Sequence, residues 1–322
     1  MSDSSPRVSV IVCTRNRAAS LEATLRALGG VAIPPGWRAE LIVVDNASTD
    51  DTALVLQNAH LLNLAMRCLR EPRPGVSLAR NRGLAAAGGE VILFTDDDVA
   101  PAGDWLERLA TPLFERQCDA AVGRIEMAAH LRRPWMEPGH KRWLAAPEAT
   151  PAGELELIGA NMGVHRSVLR QVPAFDPELG GGALGFGDDT LFSDQLVKAG
   201  LRIQFVASAV VVHHFDPSRL RRAAWLDAAR KRGRTQAYLL HHWHHSGLRF
   251  PRLRWFWLAA KLLVRRIAQP PGAAQDEGCP LWEISYVGSM AACRQIVRER
   301  RRPRNYAKHG LARVDAARVS PQ

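Results

Sequence analysis

Strings of aliphatic and β-branched residues recur through the first hundred positions, and each stops abruptly on a polar group. Residues 8–12, Val-Ser-Val-Ile-Val, read as a strand buried on both faces. Leu21, Leu25 and Leu28 follow at helical spacing, and Gly29-Gly30 stops that helix over 18–28. A second buried strand over 41–44 ends at Asp45-Asn46, after which Asp50 or Asp51 can cap a helix running to about residue 62. A strand near 67–69 leads into the turn Glu71-Pro-Arg-Pro-Gly75, and an Ala/Leu-rich helix spans 77–87 before Gly88-Gly89. A strand over 91–94 then ends in Thr95-Asp96-Asp97-Asp98. This alternation predicts an α/β fold with a doubly wound, mostly parallel sheet.

From Asp119 the pattern loosens into an apolar stretch over 120–122, a loop with Pro and Trp, and a strand over 155–163 that enters a Gly-rich turn. A flexible loop is expected over 180–187, and Asp188-Asp189 opens a helix with Leu191, Leu196 and Val197 apolar. Short strands over 203–206 and 209–212 follow, the second ending in His213-His214. After Pro217 the chain turns Arg-rich and helical in pattern, and no repeat of fixed period is present. The expected organisation is an α/β domain over 1–215 and a basic, mainly helical extension over 216–322.

Composition narrows this reading in three ways. The chain has 322 residues, 47% of them hydrophobic and 23% charged, enough for a full core and too ordered a mixture for global disorder. The first apolar run is too short for a signal peptide, and the run over 255–264 is broken by Lys261, well below the roughly 18 apolar residues of a spanning helix. Cys13, Cys68, Cys118, Cys279 and Cys293 stand singly with no Cys-x-x-Cys pair, which points to a reducing compartment and away from a thiolate metal site. A cytoplasmic location is expected, extended to the inner face of the cell membrane.

Charge is unevenly distributed. Residues 1–216 hold 21 Lys and Arg against 26 Asp and Glu, a net of −5, whereas residues 217–322 hold 22 against 6, a net of +16. An anionic partner is therefore expected for the C-terminal third alone. Over 253–267, Arg254, Lys261 and Arg265 form a basic stripe with Trp and Leu residues around the rest of the helix, as in an interfacial helix on anionic lipid. A helix docked on the rest of the protein with a solvated basic stripe fits the same pattern. Nucleic acid is not expected, because no recognised module or aromatic platform accompanies the charge.

The polar groups that end the strands are where chemistry is expected, since open α/β sheets bind ligands at the carboxyl edge. Three adjacent carboxylates, Asp96, Asp97 and Asp98, repel one another and call for a cation; hard oxygen donors suit Mg²⁺ or Mn²⁺ shared with a diphosphate. Asp45 can accept from a base N–H, Thr14 can reach a base or ribose, and Arg80 with Asn81 can supply charge and donors.

In these motifs the chain resembles the family 2 glycosyltransferases of the GT-A fold. The resemblance rests on Val-Ser-Val-Ile-Val-Cys-Thr-Arg-Asn (8–16), Glu-Leu-Ile-Val-Val-Asp-Asn-Ala-Ser-Thr-Asp (40–50), Ser-Leu-Ala-Arg-Asn-Arg-Gly-Leu (77–84) and Leu-Phe-Thr-Asp-Asp-Asp (93–98), with Gly-Ala-Asn-Met (159–162), Gly-Phe-Gly-Asp-Asp (185–189) and Val-Val-His-His (211–214) following in order. It covers about residues 8–240. It implies a donor-nucleotide half over about 1–100 and an acceptor half over about 101–215. Thr14, Arg15, Asp45, Arg80, Asp96 and Asp97 are implied as donor contacts, and Asp98, Asp96 and His213 as metal ligands, with His214 as an alternative. Asp189 is implied as the general base beside Asp188, which stands where the family usually has Glu. Asn161 and Gly187 are implied on the acceptor and sugar side. The expected partners are a nucleotide-diphosphate sugar, a UDP-sugar first, and a hydroxyl acceptor such as a lipid-linked glycan.

The chemistry agrees with that assignment: the acceptor hydroxyl needs a carboxylate base, and the leaving diphosphate needs a cation. No protein nucleophile is required if the anomeric configuration inverts, the outcome the resemblance implies. A nucleotide-sugar-binding pseudoenzyme remains the alternative reading, against intact Asp96, Asp98 and Asp189. A nucleotidyltransferase would need a Lys-bearing phosphate loop after the first strand, and none is present. The spelling Gly180-x-Gly182-x-x-Gly185 lacks a preceding buried strand, and His241, His242, His244 and His245 read as a polar helix end. Trp135 and Trp143 are candidates for stacking on a sugar or for structural burial.

Overall fold

The computed structural model describes residues 5–144, 155–269 and 276–314. Strand β1 (Arg7–Thr14), α1 (Ala18–Leu28), β2 (Arg38–Asp45), α2 (Thr52–Asn58), β3 (Ala65–Arg70), α3 (Val76–Ala86) and β4 (Val91–Asp96) alternate as the sequence pattern predicts. β5 (Val99–Pro101), α4 (Trp105–Phe114), β6 (Ala120–Met127), α5 (Pro138–Trp143), β7 (Asn161–His165), α6 (Asp188–Lys198) and β8 (Ile203–His213) complete the α/β part. The eight strands form one mixed sheet in the order β3-β2-β1-β4-β7-β6-β8-β5. β1 to β4 are parallel, whereas β7 runs antiparallel between β4 and β6.

Both faces of the central strands are covered, which is why their sequences lack polar alternation. Val8, Val10, Val12, Leu41, Val43, Val91 and Leu93 point into one hydrophobic layer. Ile11, Ile42, Val44, Ile92 and Phe94 point into the other. Each such side chain contributes about 1.5–3 kcal/mol relative to leaving it in water.

Three expectations need correction. α2 ends at Asn58, and Leu62 is exposed, so the helix is shorter than the pattern predicts. Residues 155–160 are not a strand: the Leu157 N–H donates to Ser193 Oγ at 2.8 Å, tying the segment to α6, and the strand begins only at Asn161. The two short strands expected over 203–212 are one strand, β8. The break at Ala207-Ser208 is a bulge, where β6 shifts register from Gly123 opposite Val206 to Arg124 opposite Val210.

Beyond the sheet lie α7 (Arg222–His242), α8 (Pro251–Ala268) and α9 (Leu281–Glu299). Trp225, Leu226, Ala229, Ile284 and Val287 belong to the same hydrophobic layer as Val8 and Val10 of β1, so these helices extend the core of the sheet domain. α7 and α9 approach so closely that a Cβ on Gly233 would strike the Gly288 carbonyl oxygen. α8 leans on α9 through buried Leu258 and Leu262 and the Arg266–Glu283 ion pair. Among the described residues no helix is long and apolar enough to cross a membrane.

Candidate active site

Parallel pairing brings the strand ends into line. Thr14 and Asp45 are direct register partners across β1 and β2, and Asp96 stands beside Cys13 across β1 and β4. Thr14 donates its hydroxyl proton to Asp97 at 2.7 Å, and Asp45 accepts the Ser48 N–H at 3.0 Å while staying buried. Arg15 projects from the turn after β1 as an exposed side chain. Its neighbour Arg17, which the sequence motifs did not single out, reaches Asp97 at 3.0 Å and Asp98 at 2.7 Å. The sequence offers both guanidiniums within Thr-Arg-Asn-Arg. Asn16, at φ 53°, turns the chain between them.

The acid triplet splits into three environments. Asp96 is the most open, and burial still raises its pKa against the opposing Arg80. Burial pushes Asp97 up to about 6, with Arg17 pulling the other way. At Asp98 burial also favours the neutral form, but His213, Arg17 and Arg219 outweigh it and hold the carboxyl below the usual range. His213 closes β8 with its Nε2 3.2 Å from Asp98 Oδ1, while His214 stands over His130 instead. The geometry thus separates the histidine doublet. Arg219 was not anticipated either; it stacks on Phe215 at 5.2 Å, in the short helical turn after β8.

Apart from that ionic contact, Asp98 Oδ1 and His213 Nδ1 are buried without a hydrogen-bond partner, and among the described residues no group of three or more His, Cys, Asp or Glu side chains is arranged to hold a metal ion. That donor set fits a divalent cation that takes its remaining ligands from a diphosphate. It does not fit a cation enclosed by protein alone.

Arg80 lies behind the triplet. Its guanidinium forms an ion pair with Asp188, reaches Asp96 at 3.6 Å and packs over Phe175. With 6% exposure it is a buried brace within the strand-end cluster, as deeply placed as Thr14 and Asp45. It also ties the start of α6 to the end of β4. Gly187, at φ 85°, precedes that helix in a left-handed conformation that a side chain would strain, and its α-carbon faces Thr235 of α7.

Asp189 follows Asp188 on the first turn of α6 and faces a cavity of about 1010 Å³. Its Oδ2 accepts the Gly159 N–H at 3.2 Å and its Oδ1 the Thr190 N–H at 2.9 Å. Burial nevertheless pushes its carboxyl up to about 7, the adjacent Asp188 adds to this, and Arg80 opposes. The helix dipole, which by itself favours the ionised form, is outweighed. Gly187, Trp143, Arg142 and Arg124 line the same cavity, and α7 and α9 build its far wall with Arg232, Gln236 and Ser289. Arg232 lies 4.7 Å over the Trp143 ring.

Other sequence candidates fall elsewhere. Asn161 is fully buried and fully used: it accepts from Trp105 Nε1 at 2.8 Å and donates to the Arg124 and Ala209 carbonyls at 2.9 Å. It is a strut at the β6–β8 bulge, which corrects its place on the acceptor side. Trp135 packs between His140 and Trp225, away from the cavity. The four histidines at the end of α7 hold the C-terminal segment, as in His242 with Glu299 at 3.0 Å and His245 with the Tyr306 carbonyl at 3.0 Å. The glycine-rich loop leans on the start of α3, the Gly181 carbonyl accepting the Val76 N–H at 2.8 Å, in no strand–turn–helix context.

Comparison with known proteins gives the family and the fold. A family model described as Glycosyl transferase family 2 matches residues 9–172. The succinoglycan biosynthesis protein ExoM of Rhizobium meliloti is 30% identical, over 75% of this chain and 77% of its own. An uncharacterised glycosyltransferase of Mycobacterium tuberculosis is 37% identical over 40% of this chain, and the match spans only 53% of that relative. Among solved structures, a mannosyltransferase from Pyrobaculum calidifontis in complex with GDP-Man and Mn²⁺ superposes with a TM-score of 0.60 at 23% identity, covering 91% of this chain and 87% of that one. The fold is that of the GT-A glycosyltransferases.

Proposed function

Because this chain belongs to glycosyltransferase family 2, we propose that it transfers a sugar from a nucleotide-diphosphate donor to an acceptor hydroxyl with inversion, Asp189 serving as the base. The observation that carries this reading is the placement of Asp189 at the cavity wall, separated from the Asp96–Asp98 edge by the Arg80–Asp188 pair. The donor's nucleoside would lie along Thr14, Asp45 and Asp96 at the strand ends. Its diphosphate would meet Arg17 and Arg219. A divalent cation held at Asp98, with Asp96 or His213 as its second protein ligand, would, when bound, offset the charge that develops on the leaving diphosphate.

The acceptor would occupy the cavity with its hydroxyl at Asp189. The acceptor oxygen bonds to the anomeric carbon, the bond from that carbon to the diphosphate oxygen breaks, and the hydroxyl proton passes to the Asp189 carboxylate. A carboxyl with a pKa of about 7 is suited to take that proton near neutral pH. Trp143 offers an apolar ring to a sugar face, and Arg142, Arg124 and Arg232 suit an acceptor that carries negative charge. The relative named in succinoglycan biosynthesis supports an exopolysaccharide or cell-envelope glycan as acceptor. A lipid-linked acceptor would bring the enzyme to the cytoplasmic face of a membrane.

A panel of UDP- and GDP-sugars, scored for release of nucleoside diphosphate with Mn²⁺ and with EDTA, tests the reaction. Calorimetry with UDP and GDP tests the cation: affinity should fall about tenfold or more in EDTA or in Asp98→Ala, the loss of a charge-assisted contact. Equal affinity in both conditions would remove the metal from the proposal.

A further inference from the structure

α8 presents an apolar face to solvent. Leu253, Phe256, Trp257, Leu263, Val264 and Ile267 are each between 56% and 74% exposed. At 100° per residue they fall within an arc of about 120°, opposite buried Pro251, Leu258 and Leu262. The helix therefore has two apolar faces, one seated on α9 and one open. The sequence wheel sets the basic stripe against the apolar remainder; the structure places that stripe at the border between the seated and open faces.

The borders are basic on both sides. Arg254, Lys261 and Arg265 edge one side of the open face and Arg252 the other, and Lys261 Nζ lies 3.7 Å over the Trp257 ring. The helix has no Asp or Glu, and between Asp227 and Asp276 the chain holds ten Lys and Arg with no acid. Scattered exposed apolar residues need no explanation, but a continuous face of this kind marks a contact surface.

We propose that the open face of α8 docks the protein on an anionic lipid surface. The helix would lie in the plane of the interface, its six apolar side chains among the acyl chains and its Arg and Lys edges at lipid phosphates. Charge decides against a second copy of the chain as occupant: a symmetric pairing would set basic edges against basic edges, with no acid on the helix to offset them. The proposal is independent of the transfer reaction, because it is read without substrate.

Flotation of the full chain with vesicles tests it. Binding should be strong on phosphatidylcholine containing about 30% phosphatidylglycerol, weak on phosphatidylcholine alone, and reduced at about 0.5 M salt, where surface attraction is screened. Phe256→Ser, Leu263→Ser and Ile267→Ser combined should lower binding about tenfold or more while leaving the thermal melt unchanged, since these side chains are exposed. Arg252, Arg254, Lys261 and Arg265 changed to Gln should abolish the preference for the anionic vesicles. The proposal is overturned if the wild-type chain ignores anionic vesicles, or if the Ser variant binds them undiminished. Dimers in sedimentation that dissociate in the Ser variant, without vesicle binding in the wild type, would assign the face to a second copy instead.

Discussion

Replacing Asp189 by Asn keeps the side chain's shape and removes its basicity, so kcat should fall by roughly 10²–10⁴ while donor affinity stays near wild type. The pH profile carries the same information with a sign. Burial holds the Asp189 carboxyl up at about 7, and only the deprotonated form accepts the hydroxyl proton. The wild-type kcat should therefore decline as pH falls through about 7, and Asp189→Asn should flatten that acid limb. A wild-type rate independent of pH between about 5 and 9 would take the base role from Asp189. Asp188 plays a different part, buried against Arg80. Asp188→Asn should first appear as lost stability, because a buried cation loses half of its compensation. Asp189 was legible from the sequence as the second acid at a helix start. Arg80 was visible too, but its burial between two carboxylates required β4, α3 and α6 to come together.

At the scale of elements, α1 and α3 are within a residue of the sequence reading and α6 begins where it was expected, because local signals agree: apolar spacing and terminal glycines for the first two, acids in the first turn for α6. β6 and β8 were harder. Their sequences are interrupted by Gly123-Arg124 and Ala207-Ser208, and the interruption is a bulge that exists only when the two strands pair. α7 and α9 pack along their length and come closest at two glycines. Gly233→Ala would press a methyl group onto the Gly288 carbonyl, a backbone atom that cannot rotate away. The variant should lose about 2 kcal/mol in urea unfolding, in the range of overpacked contacts. Turnover should fall as well, since both helices form the cavity wall. Stability and rate both unchanged would show that the pair adjusts.

At the scale of the whole molecule, the basic extension is fastened to the sheet domain through Asp176. Its carboxylate accepts from Tyr238 and Tyr306 at 2.6 and 2.7 Å and pairs with Arg313 at 2.7 Å, while Glu178 pairs with Arg302 at 2.6 Å. Asp176→Ala leaves two buried hydroxyls and a guanidinium without this acceptor. It should cost about 3 kcal/mol and expose the segment after α9 to proteolysis before the sheet domain unfolds. Limited trypsin digestion followed by mass measurement checks the order; simultaneous loss of both parts would argue for a single cooperative unit.

Local chemistry suffices for much of this protein. Apolar runs long enough to be buried on both faces, each ended by a polar residue, determine an α/β sheet and place Thr14, Asp45 and Asp96 to Asp98 at its carboxyl edge, because period and termination are properties of neighbouring residues. Tertiary structure decided which of two arginines reaches the acid triplet, which of two histidines meets Asp98, and that Asn161 is a strut. It also decided that α7 and α9 close the cavity and that α8 keeps one apolar face open. Those outcomes depend on residues far apart in sequence meeting in space, where burial and charge are set by the assembled surroundings.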